Sequence, residues 1–130
     1  MNGGGVLIIG KSGSGKSSFA LEMISRGADL VADDRVVLRE SPDHGILMTA
    51  APNIAGLIEA RSVGLIRLNA VDARLALVVD LDETESQRLP ETRYRKVLGT
   101  PIRYLRKVES PAFPAMVCAV LMGGLCDDDL

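Results

Sequence analysis

Gly10-Lys-Ser-Gly-Ser-Gly-Lys-Ser-Ser18 constrains this chain more than any other stretch, because it fills the pattern G-x-x-x-x-G-K-[ST] completely with Gly10, Gly15, Lys16 and Ser17. At average residue usage the pattern arises by chance in roughly one chain of this length in two hundred. It works only between a strand and a helix, and both are written around it. Gly5-Val-Leu-Ile-Ile-Gly10 is a continuous apolar run suited to a strand buried on both faces. Ser18 to Arg26 repeats apolar residues at helical spacing, and Gly27 supplies the stop. In such a loop the glycines let consecutive N–H groups point inward at a polyphosphate, and the helix adds about half a positive charge at its N-terminus. The expected cradle is therefore Gly10, Lys11, Ser12, Gly13, Ser14, Gly15, Lys16 and Ser17, with Lys16 reaching the β- and γ-phosphates and the Ser17 hydroxyl ligating Mg²⁺.

With 130 residues and 47% hydrophobic content, the chain is expected to form one domain over residues 1–130, with 126–130 as a frayed tail. A net charge of -2 and a pI of about 5.4 argue against nonspecific nucleic-acid binding, and 3% aromatic residues leave no stacking platform for single strands. Cys118 and Cys126 lack metal-ligand spacing and a nearby histidine, so they read as buried or inert thiols. The apolar stretch from Ala112 to Cys126 is broken by Pro114 and shorter than a bilayer span, and no leader opens the chain. The expectation is a cytoplasmic protein without a membrane partner.

Beyond the first helix, Asp29-Leu-Val-Ala-Asp-Asp34 reads as a short strand ending on two acids, followed by strand character from Arg35 to Glu40. Ser41-Pro-Asp-His-Gly45 is a turn cluster that lets Ile46–Ala50 pair back as a hairpin; His44, within it, reads as a solvated imidazole. A loop or helical turn runs from Pro52 through Ile58, then Leu65–Leu68 and Leu75–Val79 form strands. Asp80, Asp82, Glu83 and Glu85 read as a solvated acidic connection, and Arg88 to Lys107 as a basic face. Pro111 to Leu125 reads as an apolar helix buried in a core or against another subunit.

Asp33 and Asp34 fall at the carboxyl end of the expected second strand, the edge of an open α/β sheet where ligands gather. Two adjacent carboxylates can divide labour, one holding Mg²⁺ or its water and the other taking a proton from an attacking hydroxyl. Neighbouring strand residues face opposite ways, so both reach one site only if the strand is ending there. Glu59 and Arg61 by themselves read as a surface ion pair at a loop edge.

Together, the loop, Ala20-Leu-Glu-Met23, Arg26-Gly27, Leu30-Val-Ala-Asp-Asp34 and Glu59-Ala-Arg-Ser-Val-Gly-Leu-Ile66 resemble the catalytic domain of HPr kinase/phosphorylase. The resemblance runs from about Gly5 to Arg67, with a weaker echo at Arg88-Leu-Pro90, and has the look of the short bacterial variant without a separate N-terminal domain. It implies an α/β P-loop nucleotide-binding domain with a mixed sheet and flanking helices, assembled as a homo-oligomer, typically a hexamer. It also implies ATP and Mg²⁺ as cofactors, Ser17 with Glu59 as metal ligands, and Asp34, beside Asp33, as the carboxylate that deprotonates a serine of an HPr-like phosphocarrier. The resemblance also implies that Arg88 stabilises charge on the transferred group.

Three departures stand against that pattern. The family carries a histidine on a strand just before the loop, whereas Met1-Asn-Gly-Gly-Gly5 offers none. Thr100-Pro-Ile-Arg-Tyr-Leu-Arg-Lys107 stands where the family has a basic P-V-R-P-G-R-N loop tied to phosphate-dependent dephosphorylation, which points away from that reverse activity. Ser18 replaces an acid that often follows the loop serine. The leading expectation is a Mg²⁺- and ATP-dependent protein serine kinase of a phosphotransferase system. The alternatives are a catalytically weak ATP-binding regulatory module, or a small-molecule kinase or NTPase.

Overall fold

The computed structural model describes residues 4–126. The apolar run ahead of the phosphate loop forms strand β1 (Gly4–Ile9), and the loop feeds directly into helix α1 (Lys16–Ile24). Phe19 and Met23 lie one turn apart on the buried side of α1, and the Phe19 ring packs on Phe113 with centroids 5.3 Å apart. The helix ends as its glycine signals. Ala28 N–H donates to the Met23 carbonyl and Gly27 N–H to the Ile24 carbonyl, a Schellman arrangement that uses the positive φ of Gly27, 100°.

Strands β2 (Val36–Ser41) and β3 (Gly45–Ala50) form the expected antiparallel hairpin, with Ser41 opposite Gly45. A 3-10 turn over Pro52–Ile54 leads to β4 (Leu57–Ala60) and β5 (Gly64–Arg67), which make their own two-stranded sheet. The chain then forms β6 (Ala73–Thr84), β7 (Tyr94–Val97), β8 (Thr100–Lys107) and helix α2 (Phe113–Gly123). The main sheet runs β2-β3-β6-β8-β7, with β1 added to β6. Because β6 is parallel to β1 and β8 but antiparallel to β3, the sheet is mixed. The fold is therefore α/β, a curled mixed sheet with flanking helices.

Strand β6 is the core of this arrangement, and Leu77 to Leu81 are all buried. Leu77, Val79 and Leu81 pack with Phe19, Met23, Phe113, Val117 and Cys118 beneath the two helices, whereas Val78 joins Ile46, Met48 and Ile102 on the opposite face. Leu75 also joins that opposite face, although it has the same parity as Leu77. A bulge explains the inversion: Gly5 pairs with Leu75 but Val6 pairs with Leu77, so Ala76 is extra and the side chains beyond it change faces. Gly5 itself admits the Met48 side chain from β3, since a Cβ there would overlap the Met48 methyl and lie 3.0 Å from that of Ala73.

Several sequence expectations change. Asp29–Asp34 is not a strand; Leu30 makes a single parallel bridge to Ala70, and the segment then bends away. The cause is local, because Arg35 N–H donates to the Asp33 carbonyl and closes a tight turn centred on Asp34, whose φ is 44°. Leu57 and Ile58 belong to strand β4 instead of the preceding turn, since Ile58 is fully buried opposite Ile66. Asp80 is not in a solvated connection but inside β6, only 7% exposed. The basic region folds as the β7–β8 hairpin, closed by Leu98 and Gly99 with φ of 49° and 81°, the two consecutive positive values that a two-residue hairpin turn demands. Cys118 is buried, and burial pushes its thiol pKa up, whereas Cys126 is exposed. Of the expected frayed tail 126–130, residues 127–130 lie outside the described residues.

Candidate active site at the phosphate loop

The loop is built from its glycines. Gly13 (φ 85°) and Gly15 (φ 96°) occupy left-handed conformations with open space where a Cβ would stand, so backbone geometry selects glycine there. At Gly10 the reason is space as well, because a Cβ would overlap the Ser14 hydroxyl oxygen. Ser14 N–H donates to the Lys11 carbonyl at 3.0 Å, which tightens the turn, and Phe19 N–H donates to the Gly15 carbonyl at 2.9 Å as α1 begins. The Lys16 ammonium donates to the Gly10 carbonyl at 2.6 Å, within its own loop. Ser14 Oγ is buried without a hydrogen-bond partner, an orphaned polar atom inside the cradle.

Two carboxylates flank the loop from different directions. On one side the Ser17 hydroxyl donates to Asp33 Oδ1 at 2.8 Å, and the second Asp33 oxygen accepts the Glu59 backbone N–H at 3.2 Å. Asp33 thus joins α1 to the edge of the β4–β5 sheet. The exposed Glu59 side chain rises from β4 beside this contact, and the exposed Asp34 carboxylate follows on its strained turn. A groove of about 550 Å³ runs along β1 and has Lys16, Asp33 and Asp34 among its walls.

On the other side Asp82, at the end of β6, accepts the Lys11 backbone N–H at 2.9 Å. Asp80 in turn accepts the Asp82 N–H at 2.9 Å and the Tyr104 hydroxyl at 2.6 Å, with the Arg95 guanidinium 4.0 Å away. Those partners explain how a carboxylate sits buried in β6. Burial, followed by the bond to Asp80, raises the Tyr104 pKa above its usual value. Asp80 and Asp82 were expected in a solvated connection, away from the loop. The signal was there: five apolar residues from Leu75 to Val79 run straight into both acids, and a buried parallel strand ends at the ligand edge of such a sheet.

Of the residues expected at the site, the fold brings together the loop, Ser17, Asp33 and the backbone of Glu59. Arg88 is exposed on the segment joining β6 to β7, and no hydrogen bond or ion pair ties it to the loop among the described residues. Among those residues no three His, Cys, Asp or Glu side chains converge as a ready-made metal cage. Ser17 and Asp33 nevertheless offer adjacent oxygens, the hard donors that Mg²⁺ takes while keeping waters and phosphate oxygens for its remaining positions.

Comparisons with known proteins bear on the family and the fold. The family model described as HPr Serine kinase C-terminal domain matches residues 1–107. HPr kinase/phosphorylase of Cupriavidus metallidurans is 41% identical over 117 residues, covering 80% of this chain and 36% of the relative. The protein of the same name from a Geobacillus strain is 39% identical over 134 residues, 92% of this chain and 42% of the relative. The chain thus spans well under half the length of these curated relatives. The solved structure of the Hpr(Ser) kinase/phosphatase from Coxiella burnetii matches with a TM-score of 0.74 over 91% of this chain and 81% of that one, at 21% identity, which shows a shared fold. On the family match, which includes the phosphate loop near its start, the chain belongs to the HPr serine kinase C-terminal domain family.

Proposed function

We propose that this chain binds ATP and Mg²⁺ at the phosphate loop and transfers the γ-phosphoryl group to a serine of an HPr-like phosphocarrier. The observation that carries this reading is the 2.8 Å contact between the Ser17 hydroxyl and Asp33, at the mouth of a cradle in which Ser14 Oγ still lacks a partner. The names of the relatives support the acceptor. Gly10 to Ser17 hold the phosphates, and Lys16 supplies a positive charge to the terminal one. Ser17, Asp33 and Glu59 are the residues that would hold Mg²⁺, which when bound neutralises charge building on the phosphate oxygens. Asp34, exposed on its tight turn, accepts the proton of the serine hydroxyl, and an acceptor protein can approach it from outside. Arg88 meets the transferred group only if its exposed segment is carried to the loop by the acceptor or by another subunit.

A homo-oligomer belongs to the same reading, supported by Met116, Met122 and Leu125, which α2 and its end leave 42–57% exposed. So does a cytoplasmic location. The transfer is read in the forward direction, since Thr100–Lys107 is committed to strand β8 and forms no loop.

The test is incubation with labelled ATP, Mg²⁺ and a purified HPr-like carrier, followed by mapping of the modified residue. The expected product is a single phosphoserine, and Lys16→Ala should lower its rate by about 10³-fold or more. Undiminished labelling by Lys16→Ala would sink the proposal. Steady ATP hydrolysis without transfer to the carrier would favour an NTPase.

A further inference from the structure

The peptide unit between Gly10 and Lys11 is held at both ends. Its carbonyl accepts the Lys16 ammonium at 2.6 Å, and its N–H donates to Asp82 Oδ2 at 2.9 Å. In a trans peptide these two groups point in opposite directions, so whichever partner holds the N–H outside the loop also aims the carbonyl inside it. Gly10, at φ 155°, has no Cβ to resist rotation of this plane, and turning it over would send the carbonyl outward and strip Lys16 of its acceptor. Glycine makes the loop fit but does not orient this peptide; that task falls to the partner of the N–H.

We infer that Asp82 is a positioning residue of the site, which locks the Gly10–Lys11 peptide and through it holds Lys16 inside the cradle ready for a triphosphate. The lock is built from behind. Asp82 is itself exposed, yet its own N–H is anchored on Asp80, which is buried in β6 and fixed by the Tyr104 hydroxyl from β8. Orientation of the loop is therefore set by the central strand. A carboxylate hydrogen-bonded to a backbone N–H is a charge-assisted contact, stronger than a neutral one, and it withstands the pull of solvent at an exposed position better than an amide would. The inference rests on the reading of the loop as an ATP site, and deepens it.

The test compares Asp82→Ala and Asp82→Asn with the unaltered protein by calorimetric titration of ATP in Mg²⁺. Asp82→Ala is expected to weaken binding about tenfold. Asp82→Asn keeps an oxygen that can accept the Lys11 N–H and is expected to stay within about threefold of the unaltered protein. In a Lys16→Met background the Ala substitution should change affinity by less than about twofold, because the residue acts through Lys16. A merely structural role would also be rescued by Asn, but it would not give this dependence on Lys16. Unchanged or tighter ATP binding by Asp82→Ala overturns the inference, as does an equal loss in both backgrounds. Should the unaltered protein bind no ATP, the functional reading fails, and the lock is judged on the Lys11 amide resonance. Displacement and faster exchange of that resonance in Asp82→Ala, restored in Asp82→Asn, supports the lock; an unmoved resonance overturns it.

Discussion

The two shoulders of the phosphate loop are built in opposite ways. Toward β6, the Lys11 N–H rests on a strand of 12 residues whose Val78 and Val79 are fully buried and whose Asp80 is tied into β8 through Tyr104. Toward the acids, Ser17 rests on Asp33 in a segment with one isolated bridge, a strained turn and a two-stranded sheet of four-residue strands beyond it. The β4–β5 hairpin leaves Val63 and Leu65 80% and 72% exposed, whereas Leu75, Leu77, Val78, Val79 and Leu81 of β6 are all buried. Under the proposed phosphoryl transfer, the contrast separates two jobs. A polyphosphate needs donors fixed before it arrives, whereas an acceptor serine on another protein needs carboxylates it can reach. One shoulder is organised from inside the sheet, and the other is open to the outside.

The sharpest way to break that contrast is Asp33→Ala. If the open shoulder carries the chemistry, the substitution should lower phosphoryl transfer to the carrier by about 10³-fold, within the range for a positioned acid or base and for a lost electrostatic partner. ATP binding without Mg²⁺ should stay nearly unchanged, because the cradle is held by the β6 shoulder. Rates would be measured by quenched-flow or gel assay, and affinity by titration. Transfer reduced less than tenfold would remove Asp33 from the chemistry and leave it a structural link between α1 and β4.

The two shoulders also differ in how far they can be read from sequence. Patterns local in the chain were legible: the run Gly5–Gly10, the loop, the Gly27 stop and the β2–β3 hairpin all follow from residues within a few positions of one another. The run Leu75–Val79 was legible as a strand, but its centrality was not, since the Lys11–Asp82 bond joins residues 71 apart. The bulge at Ala76 was invisible because no Gly or Pro marks it. At the acids, the pair Asp33-Asp34 stood out as a candidate for the site, while the way the fold divides it did not. Which carboxylate takes Ser17 depends on the positive φ of Asp34, and a residue other than glycine in that conformation leaves no clear mark in the sequence. Leu98 hides the β7–β8 turn for the same reason.

Asp34 offers a second test, smaller in effect, that separates its backbone from its carboxylate. Asp34→Gly and Asp34→Ala both remove the acid, so both should lose transfer to the same degree. They should differ in stability, because alanine at φ 44° meets a steric cost that glycine avoids, about 1 kcal/mol. At an ordinary position the order is the reverse, with alanine the more stabilising. Thermal melts should therefore place Asp34→Gly above Asp34→Ala by about 4 °C. The opposite order would mean that the turn relaxes once the side chain is removed, and that the open shoulder is less constrained than Asp34 makes it.

The smallest expected effect lies beyond β6, where Glu85 closes the segment leading to Arg88. Partial burial pushes the Glu85 pKa up, but hydrogen bonds from the Gln87 and Ser86 N–H groups and the Arg93 guanidinium outweigh it and hold the carboxyl below its usual 4.5. A pKa lowered on folding means that the unfolded chain takes up the proton first as pH falls. The stability owed to Glu85 is therefore fully present above about pH 4.5 and lost as the pH drops through the lower folded value. Urea melts of the unaltered protein and Glu85→Gln at neutral pH and at about pH 3 should show a stability gap that narrows at the acid end. A gap that stays constant, or widens, would show that Arg93 does not hold an ionised Glu85 there. The segment carrying Arg88 would then be held at its start by the Glu85 N–H bond to the Lys107 carbonyl and at its end by the Tyr104 N–H bond to the Arg93 carbonyl, with no side-chain anchor from Glu85.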